Sequence, residues 1–410
     1  MAAQLRYGTD SSVRLELGDG VLLAECGAPR GTPLDDPAGA VVQALAEPLD
    51  YPPLARSTTP ADRVVLPLGP DVPHPGEILA AVVRSLVEAG VQPDGITILR
   101  TRPDATAGLG DPRPWLPGQW ASHLSLLTHE PARRRDLAYL TSTESGEPIL
   151  LNRAITDADV VLPIGCFRGG SAAGCYGVHS AVYPTFADER TLRRFRSPTA
   201  LDECGRPKPE PCRVVDQVGW LLGVSLTVQV VPGAGDRVLH VLAGQTAAVR
   251  QRATELYEAA WRYSVPRRAS LVVATVEGGS AQQTWDAVGR ALAAAGSLVE
   301  DGGAIALCCD LADEPGPGVR QLAAARLRAE AIRWIRKERP IDALPATLLA
   351  QVLGRAAVYL LSRLDPSLVE DLDVAPIAQP DELVRLARRH ESCILLANAP
   401  HAIVSLENDA

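Results

Sequence analysis

Side chains able to bind or react are concentrated between residues 165 and 200. The run Cys166-Phe167-Arg168-Gly169-Gly170-Ser171-Ala172-Ala173-Gly174-Cys175-Tyr176-Gly177-Val178-His179-Ser180 carries little bulk, and its glycines let the backbone pass close to a ligand. Arg168, Arg190, Arg193, Arg194 and Arg196 stand on or beside it, a basic cluster in an acidic chain. Guanidinium forks pair with carboxylate or phosphate, and loop amides at a helix N-terminus add donors. The expected occupant is a small anion held by Arg168, Gly169, Gly170, Ser180, Arg193 and Arg196. The competing reading of Arg190–Arg196 is a solvated helix face.

For proton transfer the candidates are Asp71 and Asp104, in loops that follow two successive strands, and the imidazoles of His129 and His179. Each histidine also has an ordinary reading as a satisfied structural residue. Cys175 and His179 are four apart, a spacing that shares one helix face, and Cys166, Cys204 or Cys212 could complete a zinc set. No Cys-x-x-Cys occurs, however, so ordinary thiols and no metal are expected.

Those side chains need a scaffold, and the hydropathy pattern supplies one. Apolar runs at Arg63–Gly69 and Ile96–Arg100 flank a helical stretch over 77–89, a β-α-β unit that implies a parallel sheet. Strands follow at Pro148–Asn152, 160–165 and 224–231, with helices over 213–222 and 246–263. The pattern restarts after Pro266-Arg267-Arg268: strand 270–276, helix 282–295, strand 304–309, a long helix near 319–337, strand 358–362, helix 380–389 and strand 393–399. Residues 13–26 alternate like a hairpin turning at Gly18-Asp19-Gly20. The expected architecture is α/β, with mainly parallel sheets flanked by helices in two domains, 1–265 and 266–410, and a ligand cleft between them.

Composition limits the partners. The chain has 410 residues, a net charge of −9 and only 4% aromatic residues, so it has neither a global positive field for nucleic acid nor many platforms for base stacking. No basic stretch leads into an apolar run at the start, and no window nears the roughly 18 apolar residues of a membrane span. The expectation is a cytoplasmic protein with reduced thiols, no nucleic-acid partner and no membrane partner.

Several segments, in order and spacing, resemble the nickel-pincer-dependent lactate racemase family over nearly the whole chain. They include Ala44-Leu45-Ala46-Glu47-Pro48, Pro73, Ile96–Leu99, His129, Gly146-Glu147-Pro148 with Asn152, Ala158–Gly165, Ala173-Gly174, Pro184, Thr191-Leu192, Ala243-Gly244, Gly278-Gly279 and Gly302–Ile305. The resemblance implies a larger N-terminal and a smaller C-terminal α/β domain. It also implies a covalently anchored pincer whose nickel takes hydride from the Cα of a 2-hydroxy acid, with histidines as acid and base, His129 standing where family members carry one.

The family's key side chains are exchanged at the matching positions. Gly170 falls on a histidine, Ser180 on the anchoring lysine and Arg196 on a metal-ligand histidine, while Arg100–Asp104 lacks the histidine of the second strand's loop. The second domain is also altered, at Gly279–Gln283 and Val288-Gly289-Arg290. Serine cannot replace an amine anchor, and neither glycine nor arginine offers nickel a lone pair. The sequence therefore favours a small anionic, 2-hydroxy-acid-like ligand without the nickel pincer. A non-catalytic sensor or partner-binding protein on this fold, and a metal-dependent racemase or epimerase with rearranged ligands, are the two alternatives.

Overall fold

A computed structural model describes residues 2–18, 20–169, 177–197 and 209–407. Its α/β design is the one the hydropathy pattern implies. In the N-terminal half, strands Ser125–Thr128, Ile96–Arg100, Val64–Pro67 and Val160–Val161 lie side by side in that order, all parallel. Every residue of Val64–Pro67 is buried, as a strand covered on both faces requires. Helix Pro75–Glu88 follows it with proline at its start, Glu77 in its first turn, and Ile78, Val82 and Leu86 on the core. A second, three-stranded sheet pairs Leu226–Pro232 parallel to Ile164–Cys166 and antiparallel to Val238–Gln245.

The C-terminal half is built on a six-stranded parallel sheet. Its order is Ala375–Pro376, Ala357–Leu361, Val299–Cys308, Ala269–Thr275, Cys393–Leu396 and Leu22–Cys26. Helices Trp285–Leu298 and Ala343–Leu353 pack together over it, the latter buried along nearly its whole length.

The hairpin expected over residues 13–26 is not the one that forms. Ala2–Tyr7 pairs antiparallel with Ser11–Glu16, and Leu22–Cys26 leaves to pair with Cys393–Leu396. Burial explains this: Leu5, Val13 and Leu15 pack with Leu271, Val273 and Leu395, so the hairpin lies on the C-terminal sheet. The opening residues thus add to the C-terminal lobe although they precede the N-terminal one in sequence. The long helix expected near 319–337 is also broken, into Pro317–Ala324 and Arg328–Glu338, with Ala325 and Leu327 extended between them. Both pieces pack on Ala343–Leu353, a contact that a single straight helix would lose at one end.

Candidate functional site

Asp71 and Arg168 come from turns that follow apolar strands of the N-terminal half, Val64–Pro67 and Ile164–Cys166. Arg290 comes from the buried face of helix Trp285–Leu298, and His401 from the turn after Cys393–Leu396. The four line one cleft between the lobes, together with Pro73, Gly235, Glu277, Gln282 and Asn398. Asp71 is held at φ +61°, a conformation that L residues seldom take. That turn aims its carboxylate at Arg168 Nη2, 2.5 Å away, with Arg290 Nη2 at 3.7 Å.

Among the described residues, positive charge exceeds negative at the centre of this cleft: Arg168 and Arg290 share the Asp71 carboxylate, Asp286 one turn back on the Arg290 helix is paired with Arg196, and Glu277 is engaged elsewhere, by Asn398 at 3.3 Å and by Arg237 and Arg6 at 3.7 and 4.0 Å. Arg290 is only 8% exposed and its Nε has no hydrogen-bond acceptor among the described residues. Burial alone would raise the Asp71 carboxyl, but Arg168 and Arg290 outweigh it and keep the pKa below the ordinary carboxylate value. Burial and the neighbouring Arg168 bring the Arg290 guanidinium down to about 10, with Asp71 opposing. Burial, reinforced by both arginines, depresses the His401 imidazole to about 3. The arrangement favours a bound anion. The free space is about 20 Å³, room for one water, so a ligand of several heavy atoms requires the lobes or the guanidiniums to move.

Of the described candidate acid–base and ligand-binding residues, Asp71 and Arg168 line this cleft. Asp104 closes a capping box on helix Arg102–Thr106 with Thr101, and burial raises its carboxyl. His129 is 2% exposed and saturated: Nε2 meets the Ala187 carbonyl at 2.8 Å, and Asn152 lies 3.1 Å from Nδ1. Burial lowers its pKa. Gly169 packs on Tyr257, and the Ser180 hydroxyl donates to the Gly177 carbonyl at 2.8 Å. Arg193 pairs with Glu189 one turn back on its own exposed helix, and Arg196 reaches across the lobes to Asp286 and to the Ile341 carbonyl at 2.9 Å. Gly170, Cys175 and Cys204 lie outside the described residues.

His179 belongs to a second cluster. Its Nδ1 faces Asp216 at 2.9 Å, and Arg250 grips the same carboxylate with both terminal nitrogens, one at 2.7 Å. Burial opposes ionisation of Asp216, but His179 and Arg250 together bring it down to about 2. A methyl on Gly219 would fall 2.4 Å from the imidazole ring, so only glycine lets helix Pro209–Leu221 pass there. The cluster borders an open groove of about 510 Å³ with Thr246, Gln251 and Glu255.

Sequence reasoning left out Arg290 and His401 as site residues. Arg290 had two signals, an arginine on the buried face of an amphipathic helix and a place in Val288-Gly289-Arg290, where the resemblance puts functional residues. His401 had none.

Fold and cleft define a two-lobed α/β protein with a buried, positively charged site between its lobes. Residues 7–200 match the lactate racemase N-terminal domain model. Among solved structures, the lactate racemase apoprotein from Thermoanaerobacterium thermosaccharolyticum superposes with a TM-score of 0.80 at 14% identity, covering 99% of this chain and 100% of that one. A Thermotoga maritima protein superposes with a TM-score of 0.65 at 13% identity, covering 92% and 100%. No curated protein sequence matches. Likeness at such identities establishes the fold.

Proposed function

We propose that the cleft binds a small carboxylate resembling a 2-hydroxy acid, without the nickel pincer. One observation carries the reading: Arg290, buried and 3.7 Å from a carboxylate that Arg168 already engages, has an Nε donor with no acceptor. Burying a guanidinium short of hydrogen bonds costs several kcal/mol, and a ligand carboxylate removes that cost while balancing the charge. Asp71 orients the two forks and stays ionised rather than acting as a base. The lactate racemase likeness of the fold supports a hydroxy acid as the class of carboxylate.

The chemistry of the donor set supports the cofactor-free part of the reading. At the position matched to the anchoring lysine, Ser180 offers a hydroxyl that is committed to Gly177. At a metal-ligand position, Arg196 is tied to Asp286. Among the described residues no three His, Cys, Asp or Glu side chains lie together as a metal would need. The residues present do not fit the pincer, and no step is derived through it.

The test is calorimetric titration and thermal shift with D-lactate, L-lactate and glycolate. A ligand at 100 times its Kd adds about 2.7 kcal/mol of stability. Stabilisation by these acids that Arg290→Gln abolishes supports the reading, and no response from the natural protein overturns it. Stoichiometric nickel in protein made alongside the pincer's biosynthesis would overturn the cofactor-free part.

A further inference from the structure

His401, which lines the cleft, is held in place from several directions. Its backbone is clamped on both sides, the amide donating to the Asn398 carbonyl at 3.0 Å and the carbonyl accepting from the Tyr257 hydroxyl at 2.8 Å. Its ring lies against Trp261, centroids 5.1 Å apart and planes inclined by 35°, and the Trp261 indole is itself pinned to the Pro232 carbonyl. The imidazole is therefore fixed in place, yet neither ring nitrogen meets a hydrogen-bond partner among the described residues, and Nδ1 is fully buried. His129, buried where His401 is only half-buried, has a partner for each nitrogen, whereas His179 Nε2 is likewise buried without one among the described residues. A neutral imidazole has one donor and one acceptor, and leaving either unmet in the interior costs about 1–3 kcal/mol.

The groups facing His401 explain what it is fit for. Arg168 and Arg290 present positive charge, Asp71 partly cancels it, and the Tyr257 phenol is spent on His401's own carbonyl. Trp261 adds no charge, and Glu277 is turned toward Arg237 and Arg6. We propose that His401 is the proton-accepting residue of the cleft, brought into play by the carboxylate that binds there. This rests on the anion-binding reading above. A bound carboxylate offsets the field of the two guanidiniums, and the imidazole, held at about 3 by burial first and by that field second, rises by the part the field contributes. One proton then passes from solvent to an imidazole nitrogen, and no other bond changes. The same field that attracts the ligand thus holds the base in reserve until the ligand arrives.

Titration calorimetry with glycolate and L-lactate in buffers of different ionisation enthalpy measures that proton directly. At pH 5.5 the natural protein takes up as much as one proton per ligand bound, and at pH 8 none. His401→Gln and His401→Asn, each keeping a polar group in the ring's place, bind the acids without that uptake. Uptake equal in natural and variant proteins, or binding at pH 5.5 with none, overturns the assignment and leaves the anion site standing. If the natural protein binds neither acid, both the anion site and the assignment fall. Two variants guard against one that misfolds, and nitrogen-15 chemical shifts of His401 in the natural protein give the same answer without substitution: movement toward the protonated form on adding glycolate is expected, and none overturns the proposal.

Discussion

Two clusters in this molecule share a motif, one aspartate between an arginine and a second cationic or imidazole group, and differ in surroundings. At Asp216 the side chains of Asp216 and Arg250 are 37% and 38% exposed, so water screens the charges, although Arg250 Nε and His179 Nε2 are buried without a partner among the described residues. At Asp71 the Arg168, Asp71 and Arg290 side chains are 13%, 22% and 9% exposed, and the second arginine shares Asp71 with Arg168 and the more distant Asp286 with Arg196. Composition does not separate the two. Dielectric and stoichiometry do, because a surplus charge is tolerated at a surface and unstable inside.

The sharpest way to break the contrast is to remove each carboxylate in turn. Asp71→Asn leaves two facing guanidiniums buried without their shared carboxylate and should cost about 3–5 kcal/mol in urea unfolding. Asp216→Asn should cost about 1 kcal/mol or less at neutral pH. Equal costs would mean that burial does not distinguish the clusters.

Arg290→Gln tests the surplus itself. It leaves the Asp71–Arg168 pair intact and should lower affinity for glycolate about 100-fold, the loss of a buried charge-assisted pair. Calorimetry reads it, and unchanged affinity would move the anion site elsewhere.

Gly219→Ala probes the second cluster through shape. Its methyl must push the His179 ring away, a strain of about 1–3 kcal/mol, whereas Gly223→Ala, with nothing nearby but φ +66°, should cost about 1–2 kcal/mol from the backbone alone.

Acid unfolding sharpens the comparison last. Asp216 has a folded pKa of about 2, below the unfolded value near 3.9, so its contribution is complete above about pH 4 and fades as pH falls through 2. His401 works in an earlier window: its folded pKa of about 3 lies below the unfolded value near 6.5, so the unfolded chain binds a proton first and stability declines as pH falls from about 6.5 toward 3. Urea midpoints across pH should show the early decline lessened in His401→Gln and the late one in Asp216→Asn.

Much of the scaffold was legible because strand and helix periods are local properties. The run before Gly69, the helix after it and the strand at Ile96 were placed within a few residues by pattern alone. Helix Ala343–Leu353 escaped because, buried along nearly its whole length, it offers no alternation to detect. The opening hairpin was misplaced because alternation marks a strand but not its partner, which here lies at the far end of the chain. The site divides in the same way. Asp71 and Arg168 stand in loops that strand ends and glycines announce, and the capping role of Asp104 was written in the spacing Thr101-x-x-Asp104. His401 follows no motif, and its meaning comes from Arg168, Arg290 and Trp261, neighbours only once the lobes have docked.

Strand Leu22–Cys26 carries a last consequence, for biosynthesis. Its hydrogen-bonding partner Cys393–Leu396 leaves the ribosome hundreds of residues later. At 5–20 residues per second the nascent chain holds an unpaired apolar edge for tens of seconds. A fragment beginning near residue 266 would have the opposite defect, leaving Cys393–Leu396 as an open border prone to self-association. Supplying residues 1–30 as a separate peptide should restore its solubility.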